Sequence, residues 1–338
     1  MLPSTRRTDR LLNLSFVLLA VAGCATTHSA REWTLPATVP VRLELEGVPF
    51  VPQAAYQCGP ASLSMVLAWI GHPVPPDELA EQVYSRARQG SLPTDMTGAA
   101  RRHGLVAYPI STLRAVVTEV AAGNPVIVLQ NLGSPDRPRW HYAVVVGYDL
   151  VRDQFILRSG LTPRQVSSIA RLEQTWAPSG GWALLVLPPR KQPATVNEQA
   201  LLEAIVGLER AKQWQAAVEA YEVANERWPQ SLGALIGLGN SRYALNDFSG
   251  AEQAFRLATQ AHPEAAAAFN NLAHVLAELG RREEALSAAR RATELAGPLE
   301  PAYRATLMKI ENQLLKASQS LPGPRDPIPK KMSEIFGI

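Results

Sequence analysis

The chain has 338 residues, of which 46% are hydrophobic and 19% charged, values that are ordinary for a globular protein. This length exceeds what one hydrophobic core usually organises, so we expect two modest domains. The formal net charge is only +3 and no run of Lys or Arg is longer than two residues, which argues against nucleic acid as a partner.

The N-terminus has the pattern of a bacterial export signal. Arg6, Arg7 and Arg10 precede an apolar run over residues 11–23 that is too short for a stable membrane span. Val-Ala-Gly-Cys then resembles the lipobox of bacterial lipoproteins, whose cysteine is acylated and becomes the first residue. An ordinary signal peptide cleaved nearby is the alternative.

The lipobox resemblance implies a signal peptide over residues 1–23, a lipid on Cys24 and a tether over residues 24–40. Alanine rather than aspartate follows the cysteine. In enterobacterial-type sorting this implies a lipid-anchored protein of the cell envelope, at the outer membrane and facing the periplasm. No other stretch of the sequence is long and apolar enough to span a bilayer.

Cys58 is the only cysteine outside this leader, so it has no partner for a disulfide. Pro60 fits the first turn of a helix. The apolar residues that follow recur at helical spacing until Gly71, His72 and Pro73 end the run. Cys58 is therefore predicted at a helix N-terminus, where the macrodipole and free N–H groups favour the thiolate.

Residues 41–188 alternate helical and strand signals and are predicted to form an α+β domain. Helices are predicted over residues 76–86 and 112–122. Buried strands are predicted over residues 125–130, 141–147, 154–157 and 182–187. Residues 189–197, which follow, are predicted to be a stiff, polar linker.

Residues 198–319 have the period of tetratricopeptide repeats and are predicted to form an all-α solenoid of three repeats with a capping helix. Pro229 and Pro263 are 34 residues apart. The same spacing relates Ala217, Ala251 and Ala285, and it also relates Ala224, Ala258 and Ala292. A third set at this spacing, where the residue is large or small, is Tyr221, Phe255 and Ala289. An unrelated array of helical hairpins is the alternative. Residues 320–338 are Pro-rich and predicted to be disordered.

His141 is the histidine best placed to serve Cys58 as a base. Of the six histidines, it alone opens a strongly β segment late in the Cys58 domain. A nucleophilic thiolate needs a base that is distant in sequence, close in space and held rigidly. This chemistry requires no metal and no cofactor.

Residues 57–63 (QCGPASL) and 141–148 (HYAVVVGY) resemble the bacteriocin leader peptidases, papain-like cysteine peptidases whose best-known members cut after a double glycine. The resemblance spans roughly residues 45 to 188. It implies a papain-like fold with Cys58 as nucleophile and His141 as general base. It also implies an oxyanion-stabilising glutamine, for which Gln53 fits although it is one residue nearer to the cysteine than in the family; Gln57 is a second candidate.

The sequence departs from this family at the third member of the triad. The family has an aspartate on the strand that returns beside the histidine, whereas this chain has Ser159 near the end of that segment. If residues 149–153 form the hairpin tip, residue 143 faces residue 159, and Ser159 shares a face with His141. Asp149 lies eight residues along the strand, about 26 Å away, and cannot orient the ring.

These observations favour a membrane-anchored cysteine peptidase, with a peptide or protein substrate and a repeat domain that binds the substrate or a protein partner. The first alternative is a catalytically weak or inactive peptide-binding scaffold of the envelope, which the neutral Ser159 would suit. The second alternative is acyl transfer on the same thiol. By repeat position, the residues expected to line the concave groove are Asn240, Tyr243, Asn270 and His274; exposed polar residues without a role are the alternative.

Overall fold

The computed structural model describes residues 35–53 and 57–319. The predicted signal peptide, the lipidation site Cys24 and the predicted C-terminal tail of residues 320–338 lie outside the described residues. Of the predicted tether, only residues 35–40 are described.

The first part of the chain is an antiparallel sheet with helices packed against it. Its strands are β1 Arg42–Glu44, β2 Tyr84–Ser85, β3 Gly90–Ser91, β4 Val106–Ile110, β5 Val126–Asn131, β6 Trp140–Asp149, β7 Gln154–Ser159, β8 Thr162–Ser168 and β9 Ala183–Leu187. Its helices are α1 Cys58–Trp69, α2 Pro76–Val83, α3 Pro93–Arg102, α4 Leu113–Ala121 and α5 Ile169–Trp176. The main sheet has the strand order β4-β9-β5-β6-β7-β8, and β1 pairs with the far end of β6.

The apolar face of α1 packs on this sheet and forms the core of the domain. Leu63 and Val66 of α1 are fully buried in one cluster with Tyr142, Val144 and other sheet residues. The four predicted strands are present as β5, β6, β7 and β9, because their continuous apolar runs are buried on both faces. The helix predicted over residues 76–86 ends at Val83, where the chain turns into the short β2–β3 hairpin.

The second part of the chain is a run of helices that pair in sequence order. The helices are α6 Glu198–Arg210, α7 Trp214–Arg227, α8 Leu232–Ala244, α9 Phe248–Ala261, α10 Ala266–Glu278, α11 Arg282–Leu295 and α12 Glu300–Gln319. The alanines that recur every 34 residues are all fully buried. The aromatic ring of Phe255 packs where a side chain at Gly239 would otherwise stand. Small residues therefore allow the close helix crossings that the repeat period predicts.

The segment between the two parts is fixed by one buried carboxylate. Glu119 of α4 is completely buried and accepts hydrogen bonds from Asn124 Nδ2 (2.8 Å) and from Ala194 N–H (3.2 Å). It also accepts from the N–H and the hydroxyl of Thr195, at 2.7 and 2.6 Å. The predicted linker is thus bonded to the sheet domain, and the sheet domain and the repeat helices belong to one compact unit.

The part of the chain that the structure describes contains no helix with the length and hydropathy needed to cross a membrane.

Candidate active site

Cys58 is the first residue of α1, as predicted from Pro60 and the helical spacing. The next residue must be glycine, because a Cβ on Gly59 would lie 2.4 Å from Ser91 Oγ and 3.2 Å from Met96 Sδ. Close packing against the β2–β3 hairpin and α3 therefore holds the start of the helix in place. The thiol is partly buried at the edge of the α1 core cluster.

The thiol sulfur of Cys58 accepts a hydrogen bond from the backbone N–H of Tyr142, the residue after His141. This bond and the N–H groups of Gly59 and Cys58 lower the pKa of the thiol, but desolvation by burial is the larger effect and raises it above the ordinary value. The N–H groups of the helix start therefore favour the thiolate as predicted, but in the free protein their effect on the pKa is smaller than that of burial. The resting group is the neutral thiol.

The ring of His141 is held by Ser159. His141 is the second residue of β6, and its Nε2 lies 2.9 Å from Ser159 Oγ near the end of β7. Ser159 is buried, with 6% of its surface exposed. Burial and the nearby charge of Arg139 lower the pKa of His141, so the imidazole is neutral near pH 7. Nδ1 is left as the ring nitrogen that can take a proton from a thiol.

The strand register explains why Ser159 reaches His141. β6 and β7 pair as Val144 with Arg158, which extrapolates to residue 143 opposite Ser159, as the hairpin argument predicts. A bulge between Val145 and Gly147 shifts the register only toward the hairpin tip. Asp149 lies at that tip, where its Oδ1 accepts from the N–H groups of Val151 and Arg152.

Gln53 connects three parts of the site. Its Nε2 donates to Ser62 Oγ at 3.1 Å and to the carbonyl of Tyr142 at 3.2 Å. Its Oε1 accepts from the N–H of Gly160 at 2.7 Å, which fixes the orientation of the amide. Both amide protons are used, so Gln53 has no N–H free for an oxyanion in this arrangement. The predicted oxyanion role requires that one of these bonds be given up.

The backbone of Tyr142 and the N–H of Gly160 are the site groups that the sequence does not indicate. Tyr142 presents its N–H to Cys58 and its carbonyl to Gln53, and any residue type could supply these groups. The Tyr142 hydroxyl donates to the Ser91 carbonyl at 3.1 Å and so secures the strand next to the α1 start. Gln57, the second oxyanion candidate, precedes α1 and makes no capping bond with its side chain.

No group of three or more His, Cys, Asp or Glu side chains within residues 35–53 and 57–319 could hold a metal ion. A neutral thiol lies beside the strand that carries a neutral, hydrogen-bonded imidazole, which is an arrangement suited to proton transfer from sulfur to nitrogen as a substrate carbonyl is attacked.

Comparison with known proteins places this site in a family context. Residues 45–183 match the Peptidase_C39 like family. The matched stretch contains Cys58, Gln53, His141 and Ser159 and ends within β9. No curated protein matches the chain.

Solved structures are similar to each part of the chain. The peptidase domain of Streptococcus ComA, a bifunctional ABC transporter, is 24% identical over 42% of this chain and 98% of its own, with a TM-score of 0.35. A putative C39-like peptidase from Bacillus anthracis is 18% identical over 45% of this chain and 98% of its own (TM-score 0.36). The tetratricopeptide domain of Aspergillus fumigatus Sgt2 is 16% identical over 40% of this chain and 91% of its own (TM-score 0.35).

The predicted fold class is confirmed. An α/β sheet domain of the C39 peptidase type is followed by a run of helices of the tetratricopeptide type. The roles of the individual site residues stay predictions.

Proposed function

We propose that this protein is a cysteine peptidase that hydrolyses peptide bonds with Cys58 as nucleophile and His141 as general base. The observation that carries the proposal is the His141–Ser159 hydrogen bond (2.9 Å) beside Tyr142, whose N–H binds the Cys58 sulfur. A base that is oriented by a neighbour and lies on the strand next to the thiol is one part of the arrangement that a nucleophilic site requires. The match of residues 45–183 to a peptidase family supports the same reaction.

The mechanism begins from a neutral pair, because burial raises the pKa of Cys58 and lowers that of His141. As the sulfur attacks the scissile carbonyl, its proton moves to Nδ1 of His141. Ser159 keeps the ring in place by its bond to Nε2. The imidazolium then gives the proton to the leaving amine, and water hydrolyses the acyl-enzyme by the reverse sequence.

The oxyanion needs a donor, for which the backbone N–H of Cys58 is one candidate. Gln53 becomes the second donor once its amide turns from Ser62 or Tyr142 toward the substrate. Gln57 is the alternative, since its side chain caps no helix N–H.

We propose further that a lipid on Cys24 anchors the protein to the bacterial outer membrane and that the repeats bind the substrate or a protein partner.

A peptide-binding scaffold without catalysis is the second candidate function. Three observations favour it: burial raises the pKa of Cys58, the amide protons of Gln53 are already donated, and Ser159 offers no charge to a forming imidazolium. In this case the same cleft would recognise a peptide without cleaving it.

Covalent labelling separates the two functions. The purified protein is treated with a peptidyl electrophile at neutral pH, and modification of Cys58 is followed by mass spectrometry. We expect stoichiometric labelling that is faster than that of a free thiol and is abolished in His141→Ala. Labelling no faster than that of free cysteine, or unaffected by His141→Ala, would support the scaffold.

A further inference from the structure

A cavity of about 900 Å³ lies where the sheet domain meets the first repeat helix. One wall is Arg101 of α3, and the other is α6 with Asn197, the residue before it. The residues that the argument uses are Arg101, Glu198, Leu202, Glu203, Val206 and Arg210. Leu202, Val206 and Arg210 follow one another at four-residue spacing and therefore share one face of α6. The cavity thus exposes a continuous helix face next to a second domain.

This helix face continues toward the next repeat. A Cβ added to Gly233 of α8 would lie 2.9 Å from Cδ1 of Leu202. Leu202 and Val206 therefore give the cavity an apolar floor that extends from the sheet domain to α8. An extended peptide segment could lie along it.

Two positive charges meet at one end of this floor. The guanidinium of Arg101 covers Gly207, where an added Cβ would lie 2.4 Å from its Cζ. Arg101 Nε is buried and has no hydrogen-bond partner. Burial and, to a smaller extent, the nearby charge of Arg210 lower the pKa of Arg101. Within the described part of the chain, neither arginine forms an ion pair.

Of the acidic residues of the cavity, Glu198 lies toward its other end, and Glu203 is one helical turn before Gly207. Glu198 is nine residues before Gly207, which is about 13 Å along the helix axis. It lies in the first turn of α6, where the helix dipole stabilises carboxylates. Glu203 accepts a hydrogen bond from Gln199 at 3.0 Å. Arg101 is thus left without a counterion beside it. Arg210, in contrast, interacts with Glu209, whose carboxylate accepts a hydrogen bond from the Tyr221 hydroxyl at 2.7 Å. The lining as a whole has as many acidic as basic residues.

We infer that this junction binds an acidic segment of a partner or substrate protein. A side-chain carboxylate of Asp or Glu lies between Arg101 and Arg210, and the apolar residues next to it rest on Leu202 and Val206. The inference deepens the proposed partner-binding function of the repeats. It assigns the chemistry of the ligand and makes the sheet domain part of the binding surface.

The test uses the full chain with Cys58→Ala, so that no bound peptide is cleaved. The probe is a fluorescein-labelled, C-terminally amidated peptide pool with two fixed Glu residues flanked by positions varied over Leu, Ile, Val and Phe. A matched pool has Gln in place of Glu. Fluorescence polarisation is measured at low and high salt.

We expect the Glu pool to bind more tightly than the Gln pool and to weaken as salt is added. Arg210→Gln, which leaves Arg101 on Gly207, should weaken binding of the Glu pool by about tenfold and bring it near that of the Gln pool. Arg291→Gln removes the same charge from α11, where the arginine pairs with Glu294, and should have no effect.

Failure of the Glu pool to bind, equal binding of the two pools, or equal effects of Arg210→Gln and Arg291→Gln would overturn the inference. None of these outcomes depends on catalysis. A Cys58 that is not labelled would contradict the proposed peptidase activity and leave the inferred acidic-peptide site unaffected. Labelling of Cys58 together with failure of the Glu pool to bind would contradict the site and leave the proposed peptidase activity unaffected.

Discussion

The hydroxyl oxygen of Ser159 lies 2.9 Å from Nε2 of His141, in the position where an acid would be expected to orient the base. A serine can accept from or donate to the ring, but it cannot offset the positive charge that the ring acquires during catalysis. Burial lowers the pKa of His141 further. Ser159 therefore orients the base but does not stabilise its protonated form electrostatically.

Substitution of Ser159 by alanine tests this orientation. Ser159→Ala leaves Nε2 of the partly buried ring without its partner, and we expect kcat/KM for a cleaved peptide to fall roughly tenfold, about 1.4 kcal/mol. Ser167→Ala on neighbouring β8 removes a hydroxyl that donates to the adjacent Ser168 carbonyl and serves as the control. An unchanged rate in Ser159→Ala would show that the hydrogen bond does not contribute to the reaction.

The pH dependence of the reaction follows from the directions of the two pKa shifts. The base must be neutral, and burial lowers the pKa of His141, so the acidic limb of kcat/KM should have its midpoint below about 6.5. The thiol pKa is raised, so direct alkylation of Cys58 in His141→Ala should have its midpoint above about 8.5. An alkylation midpoint well below 7 in the protein that retains His141 would instead indicate a resting thiolate–imidazolium pair.

Gln53 should affect stability as well as rate. Gln53→Ala leaves the Tyr142 carbonyl and the Gly160 N–H unpaired in a buried position, and we expect the free energy of unfolding in urea to fall by about 2 kcal/mol. Gln57→Ala is the matched control and should leave stability unchanged. If Gln57→Ala lowers kcat at constant stability, Gln57 rather than Gln53 is the oxyanion donor.

Much of the architecture could be predicted because burial leaves a strong pattern in sequence. The apolar run of β6 and the alanines spaced by 34 residues have few interpretations once their periods are recognised. Ser159 was accessible by counting residues across the β6–β7 hairpin. The hairpin tip is short, so the register of the two strands selects Ser159 rather than Asp149 as the residue beside His141.

Other elements were not predictable for physical reasons. β8 is an exposed edge strand of mostly polar residues and lacks an alternating pattern, while α3 is short and contains glycine and two arginines. The groups that bind Cys58 and Gln53 include the backbone of Tyr142, which has no sequence signature. The raised pKa of Cys58 depends on how deeply α1 packs, which the helix position alone does not indicate.

Glu119 is expected to hold the two domains together. Glu119→Ala leaves the donors of Asn124, Ala194 and Thr195 without their acceptor, and we expect a loss of about 3 kcal/mol in the free energy of unfolding. Hydrogen exchange should increase over residues 188–197 before it increases in the sheet. Glu81→Ala, at an exposed position of α2, is the control. Unchanged exchange over residues 188–197 would show that the repeats are held in place by other contacts.

The repeat helices should tolerate a methyl group at one glycine of α8 and not at another. At Gly239 an added Cβ would lie 2.4, 2.6 and 2.7 Å from three ring carbons of Phe255, which is itself buried. Gly239→Ala should therefore lower the free energy of unfolding by about 1–3 kcal/mol. At Gly233 the nearest atom is the flexible end of Leu202, so Gly233→Ala should be neutral or slightly stabilising through its better helix propensity. Urea unfolding of both variants measures the difference, and equal stabilities would mean that the α8–α9 crossing is looser than the ring contact requires.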